Sequence, residues 1–192
     1  MAAAGTLEQL LPRTIHKAPL SLPGATPASR ALVEELLERD RATHHCFFNA
    51  IGFHNHLSHH LLAAYDLGAS PALLQAAYDE ELKEQNDVFV ADREKGTVER
   101  QKEVLTRENW REYLGQDKYY ANYVLFFSEE VKRLGAHAAF EEYVFSEQAN
   151  AHGACMTERF VAGALHPFIQ MGYAIEFNSP AMVAQGPSVR PA

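Results

Sequence analysis

The stretch Asp117–Leu134, "DKYYANYVLFFSEEVKRL", decides the fold. Its apolar side chains recur at helical spacing, and Gly135 follows where such a helix should stop. The same signals repeat on both sides of it. Upstream, Thr26 is a cap and Pro27 the first helical position of "PASRALVEELLERDRATHH". A second helix is expected from about Phe47 or Phe53 to Leu67, with Gly68 as a left-handed cap. Ser70-Pro71 opens a third, "PALLQAAYDEELKEQ", and Thr106 can cap "RENWREYL" as far as Gly115. The polar residues 91–104 read as a loop or a short exposed helix. Downstream come "HAAFEEYVF", "ANAHGACMTERFVAGAL" and "PFIQMGYAIEF". Convincing β alternation and internal repeats are absent. The expected class is all-α, an irregular multi-helix array.

The expected organisation is an extended, proline-containing arm over residues 1–25, a helical domain over 26–186 and a tail over 187–192. Ser179-Pro180 starts a last helix that Gly186-Pro187 ends within seven residues, too short to be stable unless packed. We expect a product shortened from a longer protein, or else a native short terminal helix followed by a disordered tail.

With 17 Lys+Arg against 25 Asp+Glu, the net charge of −8 disfavours nucleic acid and anionic membranes as partners. The longest apolar runs are far short of a membrane span, and the N-terminus has no secretory pattern. Cys46 and Cys155 form no CxxC, so reduced core thiols in a cytoplasmic protein are expected.

"FHNHLSHHLL", residues 53–62, places four histidines within seven positions. At about 100° per residue, with His54 as zero, His56 falls near 200° and His60 near 240°. Phe53, Leu57, Ala64 and Leu67 share that side, so His56 and His60 are expected on the core-facing stripe, with His59 at its edge and His54 pointing away. Burying an imidazole without a partner costs about 1–3 kcal/mol. Either a metal bound by the i,i+4 pair or hydrogen bonds to carbonyls and carboxylates would satisfy both rings. His152 precedes Gly153, and His166 precedes Pro167 at an expected helix break among apolar neighbours. His44 and His45 carry no assigned role.

The missing patterns narrow the chemistry. There is no H-E-x-x-H, Glu-x-x-His, His-x-Asp/Glu or adjacent His-Asp motif. Dinucleotide, P-loop and nucleophile-elbow signatures are absent as well. Any metal shell would be mostly histidine. The many aromatic residues read mainly as core, with some able to floor a pocket for a flat ligand.

"FFNAIGFHNHLSHHLLAAYDLGAS", "YLGQDKYYANYVLFF" and "HGACMTERFVAGALHPFIQMGYAIEF" resemble, in order, the questin oxidase-like family, over residues 43–185. The shared elements include Asn55-His56, Leu67-Gly68-Ala69, His166, Ile169, Tyr173 and Glu176. The resemblance implies oxidative opening of a polyketide-derived anthraquinone ring, of Baeyer–Villiger type, by an oxidoreductase of secondary metabolism. It further implies a histidine-rich non-haem iron centre using O2, and NADPH is a reductant such a reaction could draw on, although the sequence does not say whether it takes part. Carried over by position, His56 and His166 are the first candidate ligands, His60 and His152 the second, and His59 a reserve. Members of the family are longer than this chain. The alternative is a non-catalytic helical fragment with purely structural histidines, associating with itself through an exposed apolar face. A metal-dependent hydrolase would require Asp66 or Glu176 to reach the histidines.

Overall fold

Thr26 opens the first helix as its spacing predicts. Its hydroxyl accepts the Ser29 N–H at 3.1 Å while the Ser29 hydroxyl accepts the Thr26 N–H at 3.0 Å. In the computed structural model, which describes residues 15, 20, 22–47, 53–85 and 102–186, this helix, α1, runs Pro27–Thr43. Next come α2 (Leu57–Asp66) and α3 (Pro71–Glu81), the latter capped by the Ser70 hydroxyl. Asn109 leads into a 3-10 turn at Trp110–Tyr113, where the sequence had suggested a longer helix. Then follow α4 (Tyr120–Leu134), α5 (Ala136–Phe140) with a π turn at Glu141–Phe145, and α6 (Glu147–Asn150). The last three are α7 (Met156–Val161), α8 (His166–Glu176) and α9 (Pro180–Gln185). Among the described residues the sole β pairing outside helices is an isolated bridge, Phe47 with His54. The fold is all-α, as expected. No helix among these residues is long and apolar enough to cross a membrane. Most of residues 1–25, the stretch 86–101 and the tail 187–192 lie outside the described residues.

The chain forms two compact units: residues 13–98 with 176–179, and residues 1–12 with 99–175 and 180–192. In the first, α1, α2 and α3 pack pairwise on one another. Val33, Leu36 and Leu37 of α1 meet Leu57, Leu61 and Leu62 of α2 and Leu74 of α3, and none is more than 1% exposed. Each such side chain contributes about 1.5–3 kcal/mol by leaving water. Gly68, at φ 87°, ends α2 as a left-handed cap. It also lies against Gly24, where a Cβ would collide with the Gly68 carbonyl. That contact lets the chain before α1 run along the end of α2, fixed by the Leu22 N–H on the Asp66 carbonyl at 3.1 Å.

In the second unit α4 supplies the core. Phe126 and Phe127 set their rings 5.5 and 5.3 Å from that of Tyr143, which lies 5.3 Å from Trp110. Gly135 stops α4 at φ 83°. The short α9 meets the condition its length imposes: Ala181, Met182, Val183 and Ala184 are buried, and the helix packs on α4. Both cysteines are half-buried thiols rather than core residues. On α8, by contrast, Phe168 and Ile175 are each 53% exposed, one turn on either side of Gly172.

The glycines separate two effects. Gly24→Ala is expected to lower stability by about 1–3 kcal/mol through overpacking against Gly68. Gly172→Ala, whose Cβ would meet nothing within 4 Å, is expected to raise it by up to about 1 kcal/mol. Thermal unfolding of the two variants checks both signs.

Candidate functional site

Asn55 organises the histidine-rich segment. Its Oδ1 accepts the Leu57 N–H at 2.8 Å, which starts α2 there, and its Nδ2 donates to Asp40 Oδ1 at 2.8 Å. Its own N–H donates to the Cys46 carbonyl at 2.8 Å. Phe53 and His54 therefore precede the helix. His54 pairs with Phe47 instead, their rings edge to face at 4.9 Å.

This start overturns the expected facing of the histidines. His56 and His60 are exposed, and among the described residues the buried histidines are His54 and His45, each 8% exposed. A wheel phased on Phe53 and Leu67 takes its stripe from residues outside the helix, and these are 54% and 66% exposed. α2 itself buries Leu57, Ser58, Leu61, Leu62 and Tyr65, the side opposite His60. His60 instead places Nδ1 3.0 Å from Glu81 Oε1 of α3, a surface pair. The reserve candidate, His59, is half-buried, with its ring 6.0 Å from that of His56. His45 turns inward, its Nδ1 accepting the Phe47 N–H at 3.1 Å.

His152 and His166 belong to the other unit. His152 is exposed, in a turn at φ 54°. A break stands before Pro167 as expected, made by Ala164 and Leu165 at φ 54° and 66°. His166 begins α8 after this break, and its Nδ1 donates to the Gly163 carbonyl at 2.6 Å. Among the described residues, no three His, Cys, Asp or Glu side chains are grouped so as to hold a metal ion.

A pair that sequence motifs missed lies at the end of α1. Asp40 and His44 stand four apart on the last turn, with His44 Nδ1 3.1 Å from Asp40 Oδ1. Their side chains are 5% and 10% exposed. The readable signal was the i,i+4 spacing, which brings two side chains together on a helix. Tyr78 of α3, 1% exposed, lies close enough to feel the Asp40 charge. Burial first and that charge second push its phenol up, so it stays protonated.

The second unit holds a depression of about 350 Å³, lined among others by Leu105, Arg107, Asn122, Phe126 and Glu130. Glu130, 6% exposed, accepts the Tyr143 hydroxyl at 2.7 Å and Arg133 Nε at 3.0 Å, with Arg107 Nε at 3.8 Å. Burial pushes its carboxyl up, but the hydrogen bonds from Arg133 and Tyr143 and the charges of Arg133 and Arg107 outweigh it, leaving the carboxyl below its usual range. Burial and the same carboxylate push the Tyr143 phenol up.

Comparison with known proteins finds that the sequence model of the questin oxidase-like family matches residues 53–188. The chain is 34% identical over 150 residues to Questin oxidase of Aspergillus terreus, covering 78% of this chain and 32% of that protein. It is 31% identical over 151 residues to Questin oxidase of Aspergillus fumigatus, covering 79% and 32%. It is 32% identical over 152 residues to Baeyer-Villiger oxidase ptaJ of Pestalotiopsis fici, covering 79% and 33%. The chain thus spans about a third of the length of the curated relatives it matches.

Two measurements check the site geometry. Asn55→Ala removes the acceptor of the Leu57 N–H at the start of α2 and a donor to a buried carboxylate, and should cost about 1–3 kcal/mol in chemical denaturation, whereas His60→Ala should stay within about 0.5 kcal/mol. A carboxyl lowered in the folded state stabilises above its unfolded value, about 4.3, and that stability is lost as pH falls through the folded value. Acid titration of stability should therefore lose this component in Glu130→Gln.

Proposed function

Since this chain belongs to the questin oxidase-like family, we propose that it forms part of an oxidoreductase that oxidatively opens a polyketide-derived aromatic ring of the anthraquinone type in secondary metabolism. The observation that carries the reading is the match over residues 53–188, from the Asn55 corner through α9. The names of the relatives, questin oxidase and Baeyer–Villiger oxidase, supply the reaction class. In such an oxidation one oxygen atom of O2 is inserted beside a carbonyl and the other leaves as water. NADPH would supply the two electrons, becoming NADP+ with uptake of one proton, and hydrolysis of the resulting ester or lactone by one water would open the ring. A cytoplasmic setting belongs to the same proposal.

Non-haem iron remains part of the proposal for O2 activation, with His56, His60, His152 and His166 as its candidate ligands. The donor set does not fit it within either unit: His60 is engaged by Glu81 on the surface, and His166 Nδ1 by the Gly163 carbonyl. No step is therefore routed through a metal. A second reading, association through an apolar face, is favoured by Phe168 and Ile175 on α8 and by exposed Val161 and Leu165 before it. Light scattering over a concentration series tests it: a monomer at every concentration rules it out.

Incubation of the purified chain with emodin, a trihydroxyanthraquinone, and NADPH in air tests the main reading. Mass spectrometry should detect a product that has gained one oxygen atom, or one oxygen atom and one water once the lactone is hydrolysed, with matching NADPH loss. Absence of both dye binding and turnover overturns the substrate class, and turnover by iron-free protein overturns the metal.

A further inference from the structure

His44 is the last residue drawn onto α1, its N–H on the Asp40 carbonyl at 2.8 Å while its backbone has turned extended. The Asp40 carboxylate accepts from Nδ1, which assigns the proton of the neutral ring to Nδ1 and leaves the lone pair on Nε2. Thr43 Oγ1 stands 3.3 Å from both ring nitrogens, but its hydrogen goes to the Arg39 carbonyl at 2.7 Å. It offers Nε2 no proton. A mostly buried imidazole is thus oriented by a buried carboxylate, which the Asn55 amide holds from the segment before α2.

We propose that His44 Nε2 is the proton acceptor for a phenolic hydroxyl of the aromatic substrate, with Asp40 and Asn55 as positioning residues. The proposal rests on the substrate class given above. In the step, the substrate O–H bond breaks and an Nε2–H bond forms. The electron pair stays on oxygen as a phenolate, and the imidazolium is stabilised by Asp40. No oxidant is consumed, and the ring becomes richer in electrons before oxygen reaches it. Besides Asp40 and Thr43 of α1 and Asn55 before α2, the surroundings include Tyr78 of α3, whose phenol feels the Asp40 charge, and Arg39, whose guanidinium carbon lies 5.6 Å from the Tyr78 ring centroid. The competing role is structural. The C-terminal end of a helix favours a protonated imidazole, and a resting imidazolium–carboxylate pair would serve only to hold α1.

Nitrogen-15 spectra of the imidazole and emodin titrations separate these roles. At neutral pH His44 should show a protonated Nδ1 and an unprotonated Nε2. Bound emodin should ionise about one pH unit or more below free emodin, a tenfold shift seen as the long-wavelength phenolate band. His44→Gln and His44→Asn, both checked for fold, should bind emodin without that shift, and Asp40→Asn should diminish it. A resting imidazolium in the unliganded protein overturns the proposal, as does a shift retained in either folded His44 variant. Emodin bound by the unmutated protein without a shift overturns it alone, leaving the substrate class intact. Failure of emodin to bind overturns both.

Discussion

The side-chain amide of Asn55 is the constraint on which the α1–α3 unit turns. One end of it accepts the Leu57 N–H where α2 begins, and the other end serves a carboxylate buried on α1. A buried Asp without such donors would be expelled or protonated. A helix without such an acceptor would start wherever its amides found partners. Because one amide group answers both demands, the start of α2, the orientation of its buried face and the position of the Asp40 carboxyl are settled together.

The second unit handles the same problem differently. Its buried carboxylate, Glu130, sits on a helix beside aromatic rings and is matched by two arginines and a phenol. In the first unit the partners of the carboxylate include an amide and an imidazole. The difference matters chemically. A carboxylate saturated by guanidinium is inert, whereas one that orients an imidazole leaves a second nitrogen able to exchange a proton. Of the two, the carboxylate that orients an imidazole has the features that acid–base chemistry uses.

Helix identity was readable because it rests on local rules. Thr26-Pro27, Ser70-Pro71, Gly68 and Gly135 each act within a turn of where they stand, and each occupies its expected place. The facing of the histidines was not readable from a wheel, because the phase depends on where α2 begins. Asn55 sets that start by reaching Asp40, fifteen residues away in sequence. Asp40 and His44 escaped notice for a related reason. A motif search looks for neighbours in sequence, while a helix makes neighbours of residues four apart. The π turn at Glu141–Phe145 carried no warning, and although Pro167 signals a break, the left-handed Ala164 and Leu165 that make it hold no glycine of the kind such backbones favour.

That last feature has a mechanical consequence. Between residues 152 and 165, His152, Cys155, Ala164 and Leu165 all hold left-handed backbone without being glycine, each at a conformational cost of about 1 kcal/mol or more. Val161, Gly163, Ala164 and Leu165 are also exposed, so little burial offsets that cost between α7 and α8. Relaxing these torsions returns stored energy while sacrificing few contacts. The junction is therefore the natural first point of sub-global opening in its unit, where a protease would gain entry while the aromatic core around Tyr143 stays closed.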